Sequence, residues 1–448
     1  MNPDSAAAWS AWKPSDSEPW NRQRAAHLMR RAGFGSGPDA LDAMVRQGFD
    51  ASIDRLFACD GRAAFDQEMQ PMERVLTSTQ DPQALAAWWL LRMSRTPCPF
   101  LEKMTLFWHG HFATGAEKVG NARAMLAQNR LLRDHALGKL EPMVQGISRD
   151  VAMLIYLDST DNRKTRPNEN YARELMELFC LGPGNYRETD IKEIARCFTG
   201  WEVRRGTFRF NPHQHDEGTK SFLGQSGNHG GEEAVRIVLD QPAAAEFIAG
   251  KLINYLVVDD VPDREFCQPV AESLRKTGFD LATATRLILT SRFFWSAAAI
   301  GGKIRSPVEL AIGLVRALDV SVNMNRLRNQ LAGLGHLPMF PPNVKGWEGG
   351  RRWINASTYI GRVNLVRSIV DTDNTFAAGS LGRAARTSAR QDPDQWIRGL
   401  TDWLVPIPLT ETSRQRLAET ARQAGADPDR RVARVLCAIA ATPEFQLN

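Results

Sequence analysis

The stretch PNENYARELMELFCL, residues 167–181, decides the fold prediction because its apolar residues recur at helical spacing. Asn168 is a favourable N-cap residue, since its side chain can accept a hydrogen bond from a free amide of the first turn. The residues after it separate into two faces. The apolar face holds Tyr171, Ala172, Leu175, Met176 and Phe179, and the polar face holds Glu169, Asn170, Arg173, Glu174 and Glu177. The stretch therefore predicts a helix with one face in a core.

Helical periodicity recurs on both sides of this stretch. The predicted helices lie at 82–93, 100–109, 121–137, 142–157 and 190–200, with further helical patterns over 232–295, 307–334, 362–370 and 395–445. Residues 201–231 differ, because Phe208-Arg209-Phe210 is typical of a short strand and loop-forming residues follow it. The sequence predicts a mainly α fold, a large multi-helix globular unit with a minor β or loop element near residues 201–231.

The helical and motif-bearing segments run along nearly the whole chain, which favours one large unit over several domains. Residues 371–394 are rich in Ala, Gly, Ser, Arg and Asp without an apolar stripe, as in a flexible loop or linker. The predicted organisation is an N-terminal extension at 1–19, a main helical unit at 20–370, that linker, and C-terminal helices at 395–448 packing on the main unit.

Composition excludes several classes of protein. The chain has 448 residues, 43% hydrophobic and 24% charged, which is ordinary globular usage. Its net charge of +5 is spread along the chain, so we expect no nucleic-acid partner. The apolar stretches are too short to span a bilayer and no secretory signal is visible, so a cytoplasmic location is expected, without a membrane partner. Phosphate-loop, dinucleotide, zincin and hydrolase-elbow signatures are absent.

The six cysteines are scattered, with no C-x-x-C pair. This spacing indicates neither a zinc knuckle nor a disulfide framework. We therefore predict buried free thiols.

Three polar segments are candidates for chemistry. The first segment is Phe107-Trp108-His109-Gly110-His111-Phe112, in which Gly110 is a predicted helix stop. A helix that ends there would let both imidazoles face one metal ion. In the alternative interpretation, His109 caps the helix and His111 is buried. The polar face of 168–181 can hold a hard cation or position a water, or it is a solvated ion-pair ladder. The loop 211–220 places His213, His215 and Asp216 close together, as metal-binding residues or as a solvated turn.

One hypothesis gathers these segments into the site of a metal-dependent enzyme, hydrolytic or oxidative. His109, His111, Glu174, His215 and Asp216 would bind a divalent zinc, manganese or iron ion. Arg173 would clamp an anionic group of the substrate, and Glu169 or Glu177 would serve as the general base.

The chain resembles the bacterial family catalogued as domain of unknown function 1800. The matching segments are 27–35, 102–112, 168–181, 199–201, 215–216, 220–224, 306–309, 341–353 and 442–445. The sequence departs from the family pattern at Gly110, where Asn is frequent, and at Cys180, where Thr is frequent. The resemblance implies a large, mostly helical unit. It also implies a gene neighbour in an exported, sulfatase-like family (domain of unknown function 1501), and a periplasmic location for many members.

That resemblance supplies the alternative hypothesis, a non-catalytic helical adaptor for the sulfatase-like companion. In this alternative the Arg and Glu residues of 168–181 fix helix packing in a buried network.

Tryptophan is unusually frequent, with 12 Trp against 5 Tyr. Six of these residues lie in or beside the family-like segments: Trp88, Trp89, Trp108, Trp201, Trp347 and Trp353. We expect them to wall a central pocket.

Overall fold

The computed structural model describes residues 5–370, 392–425 and 428–448, and these form 23 α-helices. The first twelve are α1 Ser5–Trp9, α2 Arg22–Gly33, α3 Pro38–Gln47, α4 Phe49–Ala58, α5 Arg62–Thr79, α6 Pro82–Arg95, α7 Pro99–His111, α8 Ala116–Val119, α9 Ala122–His135, α10 Leu140–Ser148, α11 Val151–Tyr156 and α12 Glu169–Glu174. A π-helix, Leu175–Cys180, continues α12 directly. The predicted mainly α fold is confirmed.

The second half of the chain repeats this helical architecture. Its helices are α13 Glu188–Cys197, α14 Gly231–Leu239, α15 Pro242–Leu256, α16 Arg264–Lys276, α17 Leu281–Thr290, α18 Pro307–Leu318, α19 Met324–Gly333, α20 Ala356–Val370, α21 Pro393–Leu404, α22 Glu411–Gln423 and α23 Pro428–Ala440. Three short 3₁₀ turns cover Pro212–Gln214, Gly350–Trp353 and Glu444–Gln446. Most of the predicted linker 371–394 lies outside the described residues, and α21 begins within its last two positions.

The predicted β element consists of two small antiparallel hairpins. Strands β1 (Trp201–Arg204) and β2 (Thr207–Phe210) form the first, and β3 (Lys220–Phe222) and β4 (Gln225–Gly227) form the second. Arg205 and Gly206 in the first turn have φ of 51° and 74°. Positive φ at both central residues is what a tight two-residue hairpin turn requires.

Local capping explains where the predicted helix 142–157 divides. Asp150 lies between α10 and α11, and its side chain accepts a hydrogen bond from the backbone amide of Met153. A side chain that caps a new helix start competes with continuation of the preceding helix. The sequence therefore forms two helices where periodicity alone predicted one.

Both ends of the described chain pack on the central helices. In the N-terminal segment, Trp9 donates a hydrogen bond from its indole nitrogen to the carbonyl of Phe266, and Trp12 stacks on Trp295 with ring centroids 5.0 Å apart. At the other end, α21 contacts α2 and α23 contacts α20. Within the described ranges, every helix is too short or too polar to cross a lipid bilayer.

The prediction that all cysteines are free thiols is wrong. Cys59 and Cys98 form a disulfide that joins the end of α4 to the start of α7, whereas Cys180, Cys197 and Cys267 are buried free thiols as predicted. The two bonded residues are 39 positions apart, and no short spacing motif connects them. Which cysteines pair is set by the packing of α4 against α7, which the sequence spacing does not reveal.

We expect Cys98→Ser to lower the free energy of unfolding by about 2–4 kcal/mol, because the disulfide removes the entropy of a long loop from the unfolded chain. Urea unfolding of the oxidised wild type and the variant measures this difference. Adding a reductant should lower the stability of the wild type to that of the variant and leave the variant unchanged. Equal stability of wild type and variant under oxidising conditions would contradict the prediction.

Candidate ligand-binding cleft

The predicted helix stop at Gly110 is wrong, because α7 continues through it to His111. Gly110 packs instead against the loop that contains Gly346: a Cβ atom on Gly346 would lie 2.2 Å from the Gly110 carbonyl oxygen. The small residues therefore permit close contact between helix and loop. Since the helix is not broken, the side chains of His109 and His111 leave it in different directions.

Each of these two histidines has its own buried partner. The Nε2 atom of His109 accepts a hydrogen bond from the backbone amide of Met339 at 3.0 Å. The Nε2 atom of His111 donates to the carbonyl of Phe179 at 2.8 Å. Burial lowers the pKa of both rings to about 3, so both are neutral at physiological pH. His109 could bind a metal ion through Nε2 only by giving up its bond to Met339.

His215 and Asp216 make contacts of their own beside the β-hairpins. The Nδ1 atom of His215 lies 2.8 Å from the Thr199 carbonyl, and Asp216 forms an ion pair with Arg196 at 2.7 Å. A hydrogen bond from Arg196 lowers the pKa of Asp216 to about 2. Among residues 5–370, 392–425 and 428–448, no three His, Cys, Asp or Glu side chains form a group that could hold a metal ion.

The polar face of α12 lies at the surface and contacts α13. Arg173 forms ion pairs with Glu188 of α13 at 2.6 Å and with Glu169 at 3.4 Å, and all three side chains are partly exposed. Glu177 accepts a hydrogen bond from the Tyr186 hydroxyl at 3.2 Å. This ladder joins two helices at the surface instead of forming the buried network of the adaptor alternative.

Glu174 has a different environment from its neighbours on that face. Partial burial raises its pKa, and the nearby charge of Glu177 adds to this shift. Lys345, which belongs to the loop before α20, opposes the shift electrostatically. Glu174 therefore lies close to that loop and retains a proton more readily than an ordinary glutamate.

The π-helix connects the polar motif with a cleft. Single π-helical turns occur often at functional sites. Leu178 lines the cleft, and the carbonyl of Phe179 holds His111 in the opposite wall. The apolar face predicted for residues 168–181 is buried as expected.

The cleft has a volume of about 400 Å³ and lies between α7, the π-helix, α15, the start of α18 and the loop 336–353. Its lining combines aromatic rings with several charged groups: Phe107, His111, Lys251, Tyr255, Lys303, Glu309, His336, Lys345, Trp347 and Trp353. Of the six tryptophans expected to wall a pocket, only Trp347 and Trp353 line this cleft. Trp88, Trp89 and Trp108 are buried in the core.

Two buried ion pairs lie at the base of the cleft. Lys103, which is fully buried, donates a hydrogen bond to Glu309, and Lys303 pairs with Asp259 at 2.6 Å. Burial alone would raise the pKa of Glu309, but Lys103, Lys303 and the amide of Ser306 hold it at about 2. Buried charges are costly unless they are paired, so these groups lie in fixed positions.

Aromatic rings form the opposite wall. His336 stacks on Trp353 with centroids 4.7 Å apart and 22° between the planes, and it contacts Trp347 at 4.7 Å. Burial lowers the pKa of His336 to about 3. In the described part of the chain, the buried His336 Nδ1 and Trp347 Nε1 atoms have no hydrogen-bond partner. Unsatisfied buried polar atoms are groups that a bound ligand can satisfy.

Of the cleft lysines, Lys251 has no nearby counter-ion in the described part of the chain, whereas the charge of Lys345 acts on Glu174. Neither Lys251 nor Lys345 forms a salt bridge within the described ranges, whereas Lys303, Glu309 and Glu348 are all paired. Partial desolvation lowers the pKa of Lys251, which lies over the ring of Phe247. The cleft therefore combines a planar aromatic wall with uncompensated positive charge.

Sequence reasoning missed most of these residues. Glu309 lies in the stretch Ser306-Pro307-Val308-Glu309, whose spacing is that of a capping box, and the structure shows that box. The same carboxylate also pairs with Lys103, which is 206 positions away. His336 is a single histidine in a loop. A charged residue among apolar neighbours, as at Lys103 in α7, was the available signal of a buried pair.

Together, the fold and the cleft define a large helical protein with one family-like core and a polar, aromatic-walled cavity. The chain belongs to the family described as Protein of unknown function (DUF1800), whose model matches residues 27–447. No curated protein and no solved structure shows a significant match.

Proposed function

We propose that the protein is an enzyme whose substrate is a small organic anion with a flat apolar part, bound in the cleft of α7, α15, α18 and the loop 336–353. The observation that supports this best is the combination of the stacked His336 and Trp353 rings with Lys251 and Lys345, neither of which forms a salt bridge among the described residues. A planar ligand stacks on such rings, and the lysines compensate its charge.

Acid–base chemistry in this proposal falls to Glu174. Its raised pKa suits proton transfer better than that of Glu309, which stays ionised beside Lys103. Its charge interacts with that of Lys345, which lines the cleft. Glu177 and Tyr186 would tune Glu174 through charge and hydrogen bonding. Arg173, which the sequence assigned to an anionic substrate group, is already held by Glu169 and Glu188.

Binding of a model anion tests the proposal. We expect anilinonaphthalene sulfonate, a planar anion, to bind the wild type more tightly than its neutral analogue phenylnaphthylamine, as measured by fluorescence titration. Lys251→Gln should weaken only the anion, by about tenfold, because a charge-assisted contact is lost. Trp353→Leu should weaken both probes.

The matched control is Lys276→Gln, which removes an exposed lysine of α16 far from the cleft lining. This variant should bind both probes as the wild type does. Equal affinity of wild type and Lys251→Gln for the anion would contradict the proposal. Absence of any binding would favour the non-catalytic adaptor, whose own test is co-purification with the sulfatase-like companion.

A metal-dependent form of the enzyme stays a proposal with its own test. His111 is the predicted metal ligand that lines the cleft, and with Nε2 donating to Phe179 its Nδ1 atom has a free lone pair. Elemental analysis for zinc, manganese and iron measures the metal content of wild type, His111→Ala and Glu174→Ala. Stoichiometric metal lost in these variants supports this form, and wild type that cannot be loaded with metal contradicts it.

The Cys59–Cys98 disulfide supports a location outside the cytoplasm. Disulfides persist mainly in oxidising compartments, and the family resemblance implies a periplasmic location. Mass spectrometry of protein alkylated directly in its native cells tests this. A disulfide found intact supports the periplasm, and two alkylated thiols support the cytoplasm.

A further inference from the structure

A cluster of buried arginines lies apart from the cleft, between α2, α18 and α21. Arg30, Arg31, Arg305 and Arg362 are each 5% exposed or less. Their hydrogen bonds in the described part of the chain go to main-chain and amide oxygen atoms: Arg30 donates to the Trp403 carbonyl, and Arg305 to the carbonyls of Leu404 and Leu447. Among the described residues, none of the four forms a salt bridge with an acidic side chain. This is an unusual excess of positive charge in a protein interior.

Arg30 is the least compensated of the four. The charge of Glu309 acts on Arg31, Arg305 and Arg362, whereas only the cations Arg305 and Arg31 act on Arg30. Its Nε atom is buried without a hydrogen-bond partner. A buried guanidinium with free N–H donors and no nearby anion is expected to recruit one.

A small cavity lies between Arg30 and Arg305. Its volume is about 20 Å³, and its wall also includes Ser36, Phe34, Leu314 and Trp403. The Ser36 hydroxyl is a further donor in this lining. A water molecule needs about 10–15 Å³ measured in the same way. The cavity therefore has room for an atom or ion of about that size.

We infer that this cavity is a binding site for one monatomic anion, chloride under ordinary conditions, held by Arg30, Arg305 and the Ser36 hydroxyl. The anion would balance the positive charge of Arg30, which forms no ion pair with an acidic side chain of the described residues. Desolvation, together with Arg305 and Arg31, lowers the pKa of Arg30, so loss of the anion would leave a strongly disfavoured cation in the interior. Because α2, α18 and α21 all contribute lining residues, the anion would fasten the C-terminal helices to the main unit.

Thermal unfolding in sodium chloride and in sodium gluconate, at equal ionic strength, tests the inference. Gluconate is far larger than chloride, so the comparison at equal ionic strength removes general screening. We expect chloride to raise the Tm of the wild type by about 2–5 °C over gluconate, because a ligand that binds only the folded state stabilises it. Arg30→Gln should abolish this chloride dependence.

The matched control is Arg316→Gln, which alters a largely buried arginine of α18 that donates to carbonyls outside this cavity. It should lower Tm but keep the chloride dependence. Crystals of the wild type soaked in bromide give a second measurement that needs no variant, with an anomalous peak expected between Arg30 and Arg305. Equal Tm in the two salts, or no bromide peak, would show that the cavity holds water and would overturn the inference.

Discussion

Replacing Glu102 with Gln is expected to lower the free energy of unfolding by about 3–5 kcal/mol, because the change leaves the buried Arg133 without its ion-pair partner and Arg92 with Asp66 alone. The Glu102 carboxylate pairs with Arg92 at 3.0 Å and with Arg133 at 2.6 Å, and it accepts a hydrogen bond from the Trp89 indole at 2.6 Å. The two guanidinium groups are 3% exposed and the carboxylate 1%. Urea unfolding measures the effect. Glu117→Gln, at an exposed position of α8, is the control that should leave stability unchanged.

The same carboxylate predicts a pH dependence of stability. Burial would raise the pKa of Glu102, but Arg133 and Arg92 lower it from 4.5 to about 2. A carboxyl group whose pKa is lower in the folded state stabilises the fold above its unfolded pKa, and this contribution is lost as pH falls. The wild type should therefore lose stability between about pH 4.5 and pH 2 more steeply than Glu102→Gln does. Parallel curves for the two proteins would contradict the assignment.

The second large effect is expected at the base of the cleft. Glu309→Gln should cost about 3–5 kcal/mol of stability, because Lys103 is fully buried and would lose its ion-pair partner. It should also strengthen binding of the anionic probe, because it removes a negative charge from the lining of a cleft proposed to bind an anion. The control is Glu348→Gln at the cleft rim, where both members of the Glu348–Arg352 pair are exposed. Unfolding free energies and probe affinities measure both effects.

A double variant separates loss of the pair from loss of shape. Lys103→Met combined with Glu309→Leu removes both charges, so no uncompensated ion remains in the interior. We expect its stability to exceed that of either single variant, with a coupling energy of about 1–3 kcal/mol. Additive losses in the double variant would show that the two side chains do not stabilise each other.

Much of the fold was predictable because the signals are local. Helix starts follow capping residues such as Asn121 and Asp280, whose side chains accept hydrogen bonds from the first turn. The hairpin region, residues 201–231, was predicted from its loop-forming composition. The errors arose where contacts distant in sequence override a local preference. Gly110 allows close packing of helix and loop instead of ending the helix. Cys59 forms a disulfide with Cys98, although two helices lie between them in the sequence.

The candidate site was predictable only in part. The stretch 168–181 was singled out by its polar face, yet the structure places its π-helical half, with Leu178, at the cleft. Glu174 is the member of the predicted set with a raised carboxyl pKa, and that shift depends on its partial burial and on the nearby charge of Glu177. His215 and Asp216 have the expected residue types but bond to Thr199 and Arg196. Residue type alone does not indicate which polar groups share a cavity.

The sequence by itself therefore determined the class of fold, the helices with their caps, the position of the β-hairpins and the family. These depend on dihedral preferences, capping and periodicity within a few residues of each position. Only the tertiary structure decided that Lys103 pairs with Glu309, that His336 stacks on Trp353, and that Arg30 forms no ion pair with an acidic side chain of the described residues. Charge pairing and desolvation depend on distance and burial, and these are set by the packing of helices far apart in the chain.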